Sequence, residues 1–513
     1  MQEVTLAHPD RAKTIIALLL PVAILLAATW SIIGSFYYTL DDAYIHLQLA
    51  DMIANRGHFG LHPDSTAAPS SSLLWTLWLT LWARLPAGFD YVPLITNIVI
   101  LTLLFNDLLR WLQQITTSAR QQLWLLIAII ASLNLYWLTL SGMEQLAQVW
   151  LTVRVAIAIS RGRWQDNSLY LALTLLALLR YESLALCLPV LIMAIRAGEA
   201  RKALTTLATL VLALAAYSLF LHNSLGLTWL PASVQIKSVF AEVGPRTGLS
   251  HGQAIVDNIR HVMSGQYSHY LIWLMLGWLY AGRNQAGRQL MAVATLIYIA
   301  QALFGRANSG RYEIYVFALC WIALLHNAIP LIEQHTRRPA RMLIFMLAVL
   351  ILNVFSVAKS VTAPWAAQNI HDQQGQSATL VKDYLKRPVA ANDIGLLTRH
   401  NHYSALDLVG LGTAGVHELR NASASGSGWV STLLEQRQIH YAVVYDNWFP
   451  EWPDNLIRVA YADMPGLLLA PAERRVSFYA DTPAHAKNLL QAINAYRKDH
   501  PDRTGWVIEH GHE

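Results

Sequence analysis

A polytopic α-helical membrane protein of about eleven spans, carrying a C-terminal extracytoplasmic α/β domain, is the fold class this sequence predicts. Three observations predict it. Of the 513 residues, 55% are hydrophobic and only 13% charged, whereas a soluble protein carries roughly a quarter charged residues. Apolar runs recur up to about residue 358, and small basic clusters occupy every second connection between them. Beyond that point the chain turns polar, with short apolar strands such as His440–Tyr445 separated by turn residues.

The first run, residues 14–34, follows Arg11 and Lys13. It has the look of a secretory leader, but it is about 20 residues long and no small-residue cleavage site follows, so it reads as an uncleaved first span. Later runs lie near 92–112, 122–140, 145–160, 167–179, 184–196, 202–221, 269–282, 289–304, 312–330 and 341–358. The positive-inside rule puts Arg110/Arg120, Arg161/Arg163, Arg196/Arg201/Lys202, Arg283/Arg288 and Arg337/Arg338/Arg341 in the cytoplasm. The N-terminus is then inside a multi-pass protein of the cytoplasmic (inner) membrane, and the chain after about 358 is outside, or periplasmic. The apolar segment 72–86 breaks this parity if it crosses, and is read as a re-entrant or juxtamembrane helix. Residues 1–358 thus form the transmembrane module, with long outer loops at about 35–90 and 222–268, and residues 359–513 form the soluble domain.

A formal charge of +5 and a pI near 9.1 raise nucleic acid as a candidate partner. The scatter of the basic residues between apolar runs excludes that and points to membrane lipids. Cys187 and Cys320 both sit inside apolar runs, so no disulfide framework is implied.

The acidic pair Asp41-Asp42 directly follows the first span. An Asp before a helix is first of all an N-cap, and residues 43–55 read as an amphipathic helix. Leu47, Ala50 and Ala54 share one face, and Ile45, Leu49, Met52 and Ile53 share another. Capping accounts for one aspartate and not for two. A carboxylate partly desolvated at the interface suits proton abstraction, so the pair is a candidate general base, with Asp41 favoured and Asp42 its supporting or capping neighbour. His46 follows on the same helix face, and His58, His62 and Asp64 share the loop. These are metal-ligand types at loose spacing; they assign no ligand set, and a divalent cation stays open.

Asp41-Asp42-Ala43-Tyr44-Ile45, Asn55-Arg56-Gly57-His58-Phe59-Gly60 and Ala68-Pro69-Ser70-Ser71-Ser72-Leu73-Leu74-Trp75 resemble the first external loop of membrane glycosyltransferases of the GT-C type. The nearest branch is the mycobacterial arabinofuranosyltransferase-like one. Further stretches resemble that family in order: Ser141-Gly142-Met143-Glu144, Arg180-Tyr181-Glu182, Leu230-Pro231 with Lys237, Gly310-Arg311-Tyr312, Asn392-Asp393-Ile394-Gly395, and Leu406 to Leu411. Ala232 stands where the family has Asn. The resemblance implies a GT-C-like fold, and a polyprenyl-phosphate sugar donor attacked by a glycan, lipid or protein acceptor outside the cytoplasm. It also implies a catalytic aspartate in loop one.

On that basis Arg180, Lys237, Arg311 and Arg306 are candidate binders of the donor phosphate, since cations at the outer face match phosphate oxygens. Glu144, Glu182, His46 and Tyr44 are candidates to orient substrate. Arg180 with Glu182 is equally explained as an ion pair holding a hairpin, and Arg311 as an anchor at a span end. Two other function classes fit parts of the sequence. One is a lipid or solute transporter or flippase, which requires related halves and mid-membrane polar residues that the sequence lacks. The other is a non-catalytic glycan-binding partner of an envelope assembly complex.

Overall fold

The computed structural model describes residues 10–508 apart from 86, 117, 264–267, 282–283, 306–310, 337–338, 424–427, 450–451 and 502–504. The apolar runs fold as helices, because a backbone in lipid must satisfy its own hydrogen bonds. In chain order these are α1 (Arg11–Ile33), α2 (Asp42–Arg56), α3 (Leu73–Trp82), α4 (Val92–Ile115), α5 (Ala119–Ser132), α6 (Leu135–Leu140), α7 (Gln145–Ser160), α8 (Asn167–Leu179) and α9 (Leu184–Arg196). There follow α10 (Ala200–Leu219), α11 (Ala232–Ile236), α12 (His251–Met263), α13 (Ser268–Ala281), α14 (Gln285–Phe304), α15 (Ile314–Thr336), α16 (Pro339–Leu352) and α17 (Val354–Val361). Among the described residues, four helical segments are long and apolar enough to cross a membrane: Arg11–Ile33, Phe89–Ile115, Ala200–Ser224 and Gln285–Phe304. Six shorter apolar helices of 10–17 residues accompany them. Ile16, Leu20 and Ile24 of α1 are 68%, 58% and 58% exposed. A stripe of that kind is stable against lipid and not against water, and the chain is an integral membrane protein.

Two expected elements differ from the sequence reading. The 341–358 run is not one straight helix: α16 and α17 meet at an 80° bend. Buried Asn353 sits at the break, and its side-chain amide donates to the Val349 carbonyl at 2.8 Å, competing with the helical ladder. Helix α2 is not amphipathic in the sense of one wet face. Ala43, Leu47 and Ala50 pack into the core of the helical bundle, while Ile45 and Leu49 join the core of the sheet domain. The two apolar faces therefore bolt the sheet domain to the bundle. Helix α3 has ten residues, about 15 Å of length and half of a bilayer core.

After α17 a helical segment from Ala363 to Leu385 leads into a six-stranded sheet. Its strands are β1 (Val389–Ala391), β2 (Ala405–Asp407), β3 (Tyr441–Val444), β4 (Ile457–Asp463), β5 (Arg475–Ala480) and β6 (Trp506–Ile508), in the order β2-β1-β3-β5-β4-β6. The β2-β1-β3 ladder is parallel and the rest antiparallel. The central strands are buried on both faces, as their continuous apolar sequences require.

Candidate active site

The two aspartates that open α2 point to different partners. Asp41 occupies the N-cap position but makes no cap bond to its own helix. Its Oδ2 accepts the Gly395 N–H at 2.6 Å and its Oδ1 the Leu396 N–H at 2.8 Å, so it caps a helical turn (Gly395–Thr398) of the outer domain. Burial and the negative charge of Asp393 push the Asp41 pKa well up, against the pull of those two N–H groups. Gly395 has to be glycine for this contact, because a Cβ there would stand 2.5 Å from Asp41 Oδ2. Gly395→Ala is expected to destabilise the docking of the outer domain by about 1–3 kcal/mol, visible as accelerated proteolysis between the bundle and the sheet.

Asp42 turns the other way. Its Oδ2 lies 2.8 Å from Arg311 Nη2 and 3.6 Å from Lys237 Nζ, and its side chain is 30% exposed. Burial opposes its ionisation, but Lys237 and Arg311 outweigh this and hold the carboxyl well below the usual range. Arg311 is delivered just before α15 and Lys237 just after α11, which Pro231 starts and which the Ala232 N–H ties to the Ala68 carbonyl of loop one at 3.1 Å. Loops one and two are thus joined at the base of the site.

Arg180 sits where α8 gives way to α9, in an extended conformation at the break. Its Nη1 bonds Glu144 Oε1 at 2.5 Å and its Nε bonds Glu182. Tyr312 is flanked by two guanidiniums, with Arg180 Cζ 4.8 Å and Arg311 Cζ 5.2 Å from its ring centroid, a cation–π arrangement. Glu144 is wholly buried. It is placed by the turn at Gly142, whose φ of +71° and whose contact with Tyr38 (a Cβ would lie 2.5 Å from Cδ1) exclude a side chain.

Beside these charges lies a cavity of about 420 Å³. Arg180, Glu182, Lys237 and Tyr312 form its polar end, and Ala185, Val234, Phe240, Ala300 and Phe304 its apolar walls. Phe304 ends α14, a helix long and apolar enough to cross a membrane, and is 61% exposed, so the cavity opens to the protein surface there. Four buried polar atoms around it find no hydrogen-bond partner among the described residues: Ser233 Oγ, Gln301 Oε1, Arg311 Nε and Glu144 Oε2. Ser233 and Gln301 line the cavity itself, while Arg311 and Glu144 lie behind its polar end.

The structure therefore brings together Asp42, Glu144, Arg180, Glu182, Lys237 and Arg311. His46 stands near them, buried, with Nδ1 3.2 Å from Ser70 Oγ; burial lowers its pKa, which keeps the ring neutral. Tyr44 does not join: its hydroxyl accepts the Tyr38 N–H at 3.1 Å, and it lines a separate cavity of about 330 Å³ facing the outer domain. Arg306 lies outside the described residues. The loop-one histidines do not converge, since His58 meets the Ser65 carbonyl and His62 meets the His402 carbonyl and Asp64. In the outer domain, Asp393 accepts bonds from Gln374 and Tyr445, while Asp407 holds its own loop through the Val409 and Gly412 N–H groups.

Two contributors have no role in the sequence reading. Tyr312 stands there only as part of the Gly310-Arg311-Tyr312 stretch. Arg399, which clamps Asp90 of the bundle at 2.6 Å, is absent from it.

A family model described as a domain of unknown function (DUF8728) matches residues 368–479. No curated protein matches the chain. Among solved structures, the chain is similar to ArnT from Cupriavidus metallidurans in the apo state, with a TM-score of 0.50 and 11% identity over 91% of this chain and 98% of that one. ArnT from the same organism bound to undecaprenyl phosphate gives a TM-score of 0.47 and 9% identity over the same shares. The first of these establishes a shared overall fold.

Proposed function

We propose that this protein is a membrane glycosyltransferase of the GT-C type that moves a sugar from a polyprenyl-phosphate donor to an acceptor outside the cytoplasm. The observation that carries this reading is the meeting of Asp42, Lys237 and Arg311 beside a cavity with a cationic end and apolar walls. A prenyl chain fits such walls, and a phosphate fits such an end. The fold shared with ArnT and the ordered motifs of the sequence agree with it. The sidedness of the basic clusters supports an inner-membrane protein of about eleven spans, with the sheet domain on the periplasmic side. The motif resemblance favours a pentofuranose such as arabinose as the transferred sugar.

An acceptor hydroxyl attacks the anomeric carbon and gives its proton to the base. The bond from that carbon to the phosphate oxygen breaks, and the oxygen leaves with the electron pair. Fixed cations stabilise the leaving phosphate, and preorganised charge of that kind contributes most in a water-poor site. We assign the base to Asp42, because its carboxylate alone of the pair sits among the cations. In the resting protein Arg311 and Lys237 hold Asp42 as a weak base. A donor phosphate that takes over those cations frees the carboxylate and raises its basicity. Displacement by the acceptor inverts the anomeric centre.

The test incubates the full chain in liposomes with polyprenyl-phosphate sugars, pentofuranose and hexose, and compares the lipid and glycan profile of cells with and without the protein. Donor-dependent release of polyprenyl phosphate together with loss of one glycan form supports the proposal. An unchanged profile with no donor consumed overturns it.

A further inference from the structure

The outer domain carries a second constellation, far in sequence from the cation cluster. His440 immediately precedes β3, Asp481 immediately follows β5, and His485 lies in the first turn of the helix Pro483–Asp499. Strands β3 and β5 are antiparallel neighbours, so the start of one and the end of the other meet at the same edge, where the Asp481 N–H donates to the His440 carbonyl at 3.1 Å. Thr482 caps the helix by accepting the His485 N–H at 3.2 Å. All three side chains are thus fixed by regular elements and not by a loose loop, which is what a precise site requires.

The side chains converge. His440 Nδ1 lies 2.7 Å from Asp481 Oδ2, and His485 Nδ1 lies 2.6 Å from Asp481 Oδ1. The two imidazoles stack with centroids 4.1 Å apart and planes 26° apart. One ligand atom from each residue lies within 4.8 Å of the other two. Both rings direct the same nitrogen at a single carboxylate. A hydrogen-bond network alone needs a proton on each of those nitrogens, with two parallel rings crowded on one anion. A dication between them replaces both protons, and the carboxylate offsets one of its two charges.

We infer that His440, Asp481 and His485 form a binding site for a divalent transition-metal ion of the Zn²⁺ class, which clamps β3 and β5 to the following helix. Two imidazoles and one carboxylate are the donor set for a tetrahedral ion with one position left for water, whereas Mg²⁺ and Ca²⁺ prefer oxygen throughout. Tetrahedral ligation at about 2.0–2.2 Å places ligand atoms roughly 3.3 Å apart. Small side-chain rotations reach that spacing, and the side chains are open to solvent at 44%, 27% and 29%. The site uses none of the residues of the cation cluster, so this proposal is independent of which sugar is moved.

The experiment strips the purified full chain with chelator and titrates it with Zn²⁺ alone, following stoichiometry, affinity and the thermal unfolding of the outer domain. His510 and His512 are replaced by Ala in all samples to remove terminal ligands. One Zn²⁺ per chain is expected, with an upward shift in unfolding temperature and an affinity loss of at least about tenfold in His440→Ala and His485→Ala. Co²⁺ in place of Zn²⁺ is expected to give the visible absorption of a tetrahedral N/O site, absent in both variants. His440→Gln and His485→Gln serve where an alanine variant unfolds. Equal Zn²⁺ affinity in the parent chain and the combined His440→Ala/His485→Ala variant, or no uptake by the parent chain, overturns the proposal.

Discussion

Asp42→Asn is expected to lower the transfer rate by about 10²–10⁴-fold, the usual contribution of a positioned base, while leaving the protein folded. Asn keeps the size of Asp and loses its proton affinity. Arg311 and Lys237 also lose an intramolecular anion, so the affinity for a lipid phosphate is expected to hold or rise. The parallel variant Asp41→Asn separates the two roles. The Asp41 carboxylate accepts two backbone N–H groups, and an amide offers one oxygen and one NH₂ in its place. That substitution costs about 1–3 kcal/mol in the docking of the outer domain and spares the chemical step. Turnover per folded molecule, measured with a polyprenyl-phosphate sugar, distinguishes the variants. Equal activity of Asp42→Asn and the parent chain contradicts the assignment, and a chemical defect confined to Asp41→Asn transfers the base role to Asp41.

Arg180→Met carries the largest expected effect on stability. Arg180 is 4% exposed, and Glu144 beside it is 0% exposed. Removing the guanidinium leaves the carboxylate buried without its counter-charge, which costs about 3–5 kcal/mol. Glu182, at 27% exposed, keeps contact with water and adds little. The double variant Arg180→Met/Glu144→Gln removes both charges together and is expected to recover most of the loss, a coupling that a double-mutant cycle reads directly. Thermal unfolding in detergent follows it. Additive losses instead of recovery contradict the pairing as the source of stability. Because Arg180 already serves two carboxylates, Lys237 and Arg311 are the cations freest to meet a phosphate.

The part of this site legible in the sequence is the part that chain chemistry alone dictates. Hydropathy located the helices, and the basic clusters assign each connection an expected side. That expectation groups Asp42, Glu144, Arg180, Lys237 and Arg311 although they are spread over the sequence, and the structure brings these side chains together. The two apolar faces of α2 were visible as periodicity, but nothing local says that one of them is covered by another domain. The partners of Asp41 are backbone N–H groups 354 and 355 residues away, and a backbone donor has no sequence signature. The same holds for Arg399 on Asp90. Residue type names a chemistry, while tertiary contact decides which of two adjacent aspartates is left to perform it. The bend at Asn353 escaped for a related reason: one polar residue in an apolar run scarcely alters hydropathy, yet its amide competes for the helix backbone.

If Arg311 and Lys237 seat a lipid phosphate beside Asp42, the equilibrium binding of undecaprenyl phosphate to the purified full chain in nanodiscs depends on both side chains, and the comparison is with Arg311→Met and Lys237→Met. Saturable binding of one lipid per chain, weakened about tenfold to a hundredfold in each variant, is the predicted result. Binding of equal strength in the parent chain and both variants contradicts it.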